Sequence, residues 1–198
     1  MLAVKVAQNL GCYMKKIYKN SLKHSQSIKK IIWFTGLSGS GKTTLGIKLV
    51  KYLRSLNYSA IYLDGDDLRE GLSNDLSFTD AGRQENIRRV AELSKLLIRQ
   101  TNFVIVSTIS PNDQLRNLAK EIIGRRLFNL IYLSTPIDEC IKRDPKGYYL
   151  RARQGKILNF TGISSIYKAP KASDLEIDTS KVSQRLSLQK LKDFLHLV

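Results

Sequence analysis

The amino-acid sequence predicts an α/β domain: a five-stranded, mostly parallel sheet with helices on both faces. Three observations carry this. Short β-rich runs recur at residues 30–35, 59–64, 102–108, 128–133 and 174–178, with helical patterns between them, and strands joined through helical crossovers end up parallel. The first run, Ile31-Ile32-Trp33-Phe34, is apolar throughout rather than alternating, as expected of a strand covered on both sides. A length of 198 residues gives one such domain a substantial core and leaves too little chain for two.

Taken in order, the first strand runs into Gly36-Leu37-Ser38-Gly39-Ser40-Gly41-Lys42-Thr43, a complete G-x-x-x-x-G-K-[ST] phosphate-binding loop. A polyphosphate needs several backbone N–H donors converging on it, and glycines let the chain curl tightly enough to aim them inward. Lys42 adds positive charge at the β and γ phosphates, and the Thr43 hydroxyl is available to magnesium. The helix that begins near Gly41 and continues through Thr44 turns its positive dipole end to the anion. Strand, loop and helix in this order predict a three-layer fold like that of the P-loop nucleoside triphosphate hydrolases, with a nucleoside triphosphate and magnesium as ligands.

In an open parallel sheet, ligands collect where strands end. The second strand ends in Asp64-Gly65-Asp66-Asp67; these carboxylates suit hydroxyl activation or magnesium binding, and Asp66 or Asp67 is also expected to cap the next helix. That helix is followed by the clearest helical pattern in the chain, after Asp80. There Ile87, Val90, Ala91, Ser94, Leu97 and Ile98 form an apolar stripe, and Arg83, Asn86, Arg88, Arg89 and Lys95 are assigned to the polar face. The third strand closes in Ser107-Thr108-Ile109-Ser110-Pro111, where Ser110 either binds substrate or caps the following helix. Residues 143–162 gather cations and aromatics between glycines, the composition of a mobile lid that closes on phosphates. Leu188, Leu191, Leu195 and Val198 define a last amphipathic helix over the final strand.

The formal net charge of +16 is uneven: residues 1–30 hold seven lysines and no acid, leaving 26 basic against 17 acidic groups. This divides the chain into a basic, poorly ordered extension at 1–28 and a catalytic domain at 29–198. Cys12 and Cys140 have no paired spacing, which argues against a disulfide framework or a zinc site. No apolar run approaches the roughly 20 residues of a membrane span, and no secretory signal is evident. The expectation is a soluble cytoplasmic protein that does not bind membranes or nucleic acid.

Together these segments resemble the adenylylsulfate kinases (APS kinases). The match spans about residues 30–180 and rests on seven motifs in family order: Trp33 through Thr43; Leu63-Asp64-Gly65-Asp66 with Arg69, Gly71 and Leu72; Asp75-Leu76-Ser77-Phe78; Arg83 through Arg89; Ile109-Ser110-Pro111; Arg143-Asp144-Pro145-Lys146-Gly147; and Asn159-Phe160-Thr161-Gly162-Ile163. The resemblance implies transfer of the γ-phosphoryl group of MgATP to the ribose 3′-hydroxyl of adenosine 5′-phosphosulfate. It implies ATP contacts from Gly36 through Thr44 and from Arg143, and acceptor contacts from Asp66, Arg69, Phe78, Arg83, Asn86, Ile109, Ser110, Lys146 and Phe160, with Phe78 and Phe160 enclosing the acceptor adenine. Lys42, Asp64, Asp66 and Ser110 become the catalytic set and Thr43 with Asp66 the magnesium ligands; Arg151 joins Lys146 as a lid cation. A homodimer and a functional link to ATP sulfurylase are also implied.

The chain departs from the family pattern at Asp67, usually asparagine; at Asn112-Asp113, usually an aromatic or histidine and then a basic residue; at Ser134, usually aspartate; and at Leu158, usually basic. These changes keep in view a kinase of another 5′-modified nucleotide such as a nucleoside diphosphoramidate, and the basic arm keeps in view a non-catalytic nucleotide-dependent module that binds nucleic acid.

Overall fold

The computed structural model describes residues 28–197; residues 1–27 of the expected extension, Cys12 among them, and the Val198 position of the last stripe lie outside them. Five strands form one sheet: β1 (Lys30–Thr35), β2 (Ala60–Asp64), β3 (Phe103–Ser107), β4 (Phe128–Leu133) and β5 (Leu175–Ile177). Their order is β2-β3-β1-β4-β5, and every pairing is parallel. All five elements fall inside the predicted runs.

The helices are α1 (Lys42–Ser55), α2 (Gly65–Glu70), α3 (Asp80–Leu97), α4 (Asp113–Ile123), α5 (Ile137–Arg143), α6 (Tyr148–Arg153) and α7 (Gln184–Leu195). Alternate residues of a strand point to opposite faces, and β1 sorts its apolar run accordingly. Ile32 and Phe34 enter a core with Leu49 and Leu53 of α1 and Leu191 and Leu195 of α7. Ile31 and Trp33 enter a second core with Ile87, Val90 and Ala91 of α3 and Leu115 and Ala119 of α4. Two covered faces therefore explain why β1 reads as unbroken hydrophobicity.

A third, smaller cluster lies outside the sheet. Leu37, Cys140, Tyr149, Ala152 and Phe160 are buried together, so the 143–162 segment carries a core of its own. Tyr149 donates to the Ser38 carbonyl at 3.0 Å, tying that core to the phosphate loop. Lys29 and Lys30, part of the basic 1–30 stretch but on the domain side of the 28/29 boundary, serve the domain. Lys29 donates to the Ile98 and Arg99 carbonyls at 2.9 and 2.6 Å, at the negative end of α3, and Lys30 lies 5.7 Å from the Phe194 ring centroid.

Candidate active site

The loop between β1 and α1 is shaped by close backbone approach. At Gly39, φ is +76° and an added Cβ would lie 2.8 Å from the Cys140 carbonyl oxygen, so a side chain there would push the loop off α5. The Lys42 ammonium donates to the carbonyls of Gly36 at 2.9 Å and Leu37 at 2.8 Å, which holds it across the loop. Burial pulls its pKa down to about 8, against the opposing charges of Asp66 and Asp64.

Asp64 ends β2 and is fixed by three donors. The Tyr62 and Thr43 hydroxyls reach its Oδ2 at 2.8 and 3.0 Å, and the Asp66 backbone N–H reaches Oδ1 at 2.9 Å. Asp64, not Asp66 or Asp67, is thus the cap of α2. The cap must be extended, and Asp64 is (φ −86°, ψ 133°), whereas Asp66 and Asp67 already lie in the first helical turn. Asp66 instead pairs with Lys146, Oδ2 to Nζ, at 2.5 Å, and this contact raises the lysine pKa.

Arg143, at the end of α5, donates to the Thr179 hydroxyl at 2.8 Å, the Thr179 carbonyl at 2.9 Å and the Gly39 carbonyl at 3.4 Å. Thr179 in turn donates to the Ser40 carbonyl at 3.0 Å. Thr179, Val182, Ser183, Gln184 and Ser187 line this end of the site, and sequence reasoning missed all five. Their one available signal was position after the last strand; no charge or glycine marks them.

On the opposite side of the site, α3 corrects an expectation. Arg83 and Asn86 are 8 % and 7 % exposed, not on the polar face. Arg83 stands four residues before Ile87 and Asn86 four before Val90, which places both on the same buried stripe, where it runs past the sheet edge into the cavity. Arg83 donates to the Phe78 carbonyl at 3.1 Å, the Thr161 hydroxyl at 3.0 Å and the Asn159 carbonyl. Arg69 donates to the Leu76 and Ser77 carbonyls, both at 3.2 Å. The Arg69 and Arg83 guanidinium carbons lie 4.8 and 5.8 Å from the Phe78 ring centroid, and Phe78 is 51 % exposed. Burial lowers both arginine pKa values, and for Arg69 the neighbouring Arg83 lowers it further; two adjacent, partly desolvated cations favour an anionic ligand. The Asn86 Oδ1 and Thr108 Oγ1 atoms, buried and without a hydrogen-bond partner, belong to residues that line the same cavity.

Ser110 is buried with φ at +36°, a conformation held from several directions. Thr35 donates to the Ile109 carbonyl at 2.7 Å and to the Ser110 carbonyl at 3.3 Å, Arg116 donates to the Ser110 carbonyl at 2.8 Å, and Trp33 Nε1 donates to Ser110 Oγ at 3.3 Å. Ser110 does not cap α4; Asn112 does, accepting the Leu115 N–H at 3.0 Å. Asp113, the acid in place of the usual base, accepts from Arg116 at 2.9 Å.

A single cavity of about 680 Å³ joins these groups, running from Ser38–Thr44 past Asp64, Asp66, Arg143 and Lys146 to Arg69, Phe78, Arg83, Asn86, Ile109 and Ser110. Phe160 is not among its lining residues. It is 8 % exposed and packs edge-on against Tyr149 at 5.1 Å and Tyr148 at 6.2 Å, inside the small core. Gly36, Leu37 and Ser40 lie behind the lining, and Arg151 is exposed outside it. Asp67, Asn112, Ser134 and Leu158 are not lining residues either.

Comparison with known proteins points to one family. The family model described as adenylylsulphate kinase matches residues 28–178. The chain is 47 % identical to an adenylyl-sulfate kinase of Bacteroides thetaiotaomicron over 161 residues, covering 81 % of this chain and 80 % of that one. It is 44 % identical to the adenylyl-sulfate kinase of Bacillus velezensis over 180 residues, covering 91 % and 90 %. Its structure superposes on that of Mycobacterium tuberculosis APS kinase CysC in complex with AMPPNP and APS with a TM-score of 0.82 and 40 % identity, covering 85 % of this chain and 98 % of that one. The P-loop, the Asp64-Gly65-Asp66 turn and the Arg69–Arg83 shelf thus stand in a chain that belongs to the adenylylsulphate kinase family.

Proposed function

We propose that this protein transfers the γ-phosphoryl group of MgATP to the ribose 3′-hydroxyl of adenosine 5′-phosphosulfate, giving 3′-phosphoadenylyl sulfate and ADP. The observation that carries this is the continuity of one cavity from the phosphate loop to the Arg69–Phe78–Arg83 shelf, with Asp64 and Asp66 lying between. Donor and acceptor phosphates repel each other, and a site that binds both needs cations at each end.

The loop from Gly36 to Thr44 cradles the donor phosphates, Lys42 sits at the γ phosphate, and Arg143 with the Thr179–Ser187 segment encloses the donor nucleoside. Arg69, Arg83 and Lys146 offset acceptor charge, the Phe78 face carries the acceptor adenine, and Asn86, Ile109 and Ser110 complete its pocket. Asp66 accepts the 3′-hydroxyl proton, and Asp64 supports the donor end through Thr43. Magnesium fits this donor set, since Thr43 and a neighbouring carboxylate leave most of its coordination to phosphate and water. When bound, it neutralises phosphate charge. Transfer is direct, with Ser110 as a binding group: its Oγ already accepts from Trp33, which leaves its proton for an acceptor atom.

None of the departures from the family pattern lines the cavity, which favours the family's acceptor over another 5′-modified nucleotide. Among the described residues no helix is long and apolar enough to cross a membrane, and we place the enzyme in the cytoplasm as a homodimer, drawing its acceptor from an ATP sulfurylase. Turnover of MgATP with adenosine 5′-phosphosulfate, with a cytidine-based 5′-modified nucleotide and with no acceptor tests the assignment. Fast formation of 3′-phosphoadenylyl sulfate is expected; silence with that acceptor and activity with the cytidine nucleotide would reject it.

A further inference from the structure

Alternation along β2 puts Ala60, Tyr62 and Asp64 on one face of the strand, the face packed against α1. The Tyr62 ring lies against Gly46, in the interior of α1. A Cβ at position 46 would stand 2.4 Å from Tyr62 Cε2 and 3.2 Å from Cδ2. Glycine weakens a helix interior relative to alanine, yet here it makes the room that lets the ring pass and its hydroxyl reach Asp64. That hydroxyl donates to Asp64 Oδ2 at 2.8 Å, the same oxygen that accepts from Thr43 at 3.0 Å.

We infer that Tyr62, admitted by Gly46, is a positioning residue for the metal-binding hydroxyl of Thr43, acting through Asp64. Thr43 commits its proton to Asp64, so the lone pairs of its oxygen stay turned to the cation. Asp64 can hold that proton in place only while its own carboxylate is fixed. The Asp66 N–H pins Oδ1, and the Tyr62 hydroxyl pins Oδ2 beside Thr43. Without that hydroxyl, Oδ2 keeps only Thr43, and carboxylate and threonine rotate together. The inference rests on the proposal that Thr43 meets the nucleotide-bound cation.

Calorimetric titration with ADP, with and without Mg²⁺, on the full chain tests it, alongside the Mg²⁺ concentration for half-maximal turnover and thermal unfolding. Tyr62→Phe keeps the ring and is expected to bind metal-free ADP like the wild type. It should lose about tenfold of the tightening that Mg²⁺ confers and need about tenfold more Mg²⁺ for half-maximal turnover, in line with removal of a hydrogen bond to a charged acceptor. Gly46→Ala displaces the ring and should reproduce that loss, and in a Tyr62→Phe background it should add nothing further to it. Full Mg²⁺-dependent tightening in Tyr62→Phe overturns the inference, as does an equal loss of metal-free ADP affinity, which would mean general damage to the loop. If the wild type itself shows no tightening with Mg²⁺, the reading of Thr43 fails first.

Discussion

The two ends of the cavity are built differently. The donor end is a backbone structure: glycine turns, a helix start and carbonyls packed against α5, with Lys42 held by Gly36 and Leu37 of its own loop. The acceptor end is a side-chain structure, in which Arg83 grips Thr161 and Asn159, Lys146 grips Asp66 and the half-exposed Phe78 ring lies 4.8 and 5.8 Å from two guanidinium groups. The difference teaches where each end gets its order. The donor end is set once the sheet and α1 fold, whereas the acceptor end is held by contacts that an anionic acceptor competes for and replaces. Damage to the first should strike every nucleotide reaction, and damage to the second should strike the acceptor alone.

The largest effect is expected at Lys42. Lys42→Ala should lower kcat by at least about 1,000-fold, because the charge it places at the transferring group acts in a site screened from water, and circular dichroism should show the fold retained. Arg83→Ala should separate the two ends: kcat/KM for the acceptor falls about 100-fold while KM for ATP moves less than about threefold in steady-state assays. It also leaves the Thr161 hydroxyl and the Asn159 carbonyl without that partner, at a cost of about 1–3 kcal/mol of stability. Phe78→Ala should raise KM for the acceptor about tenfold, by loss of the ring face, with unfolding free energy unchanged within about 0.5 kcal/mol because the ring is exposed.

The smallest effect concerns pH and belongs to the donor end. The Lys42 pKa, lowered to about 8 in the free protein, rises when phosphate anions surround it, so binding takes up a proton above that pH. Affinity for metal-free ADP should therefore fall a few-fold between pH 7.5 and 9.5. Calorimetry at pH 8.5 in two buffers of different ionisation enthalpy should register the uptake; no proton exchange would show that Lys42 is already fully charged in the free protein.

How much of this was legible in the sequence follows the same division. The five strands, α3 and the loop were readable because local pattern determines them: an apolar run for β1, 3.6-residue periodicity for α3, and glycine spacing for the phosphate turn. Contacts set by tertiary approach were not. Asp64 rather than Asp66 caps α2 because the strand delivers it in extended conformation beside Thr43 and Tyr62. Arg83 and Asn86 look polar by residue type, yet their four-residue spacings to Ile87 and Val90 place them on the buried stripe. Phe160 reads as an aromatic free to cover a base, but its place beside Tyr148 and Tyr149 could be known only once the 143–162 segment had folded on itself. The Thr179–Ser187 segment carries no chemical signature and joins the site through Arg143.

The most direct test of phosphoryl transfer across one continuous cavity is a single-turnover experiment with γ-labelled ATP, magnesium and adenosine 5′-phosphosulfate, following label in nucleotide, inorganic phosphate and protein together. The account predicts that label appears on the 3′-position of the acceptor at the rate at which it leaves ATP, with none on Ser110. Label arriving first on the protein, or leaving only as inorganic phosphate while the acceptor stays unlabelled, would contradict it.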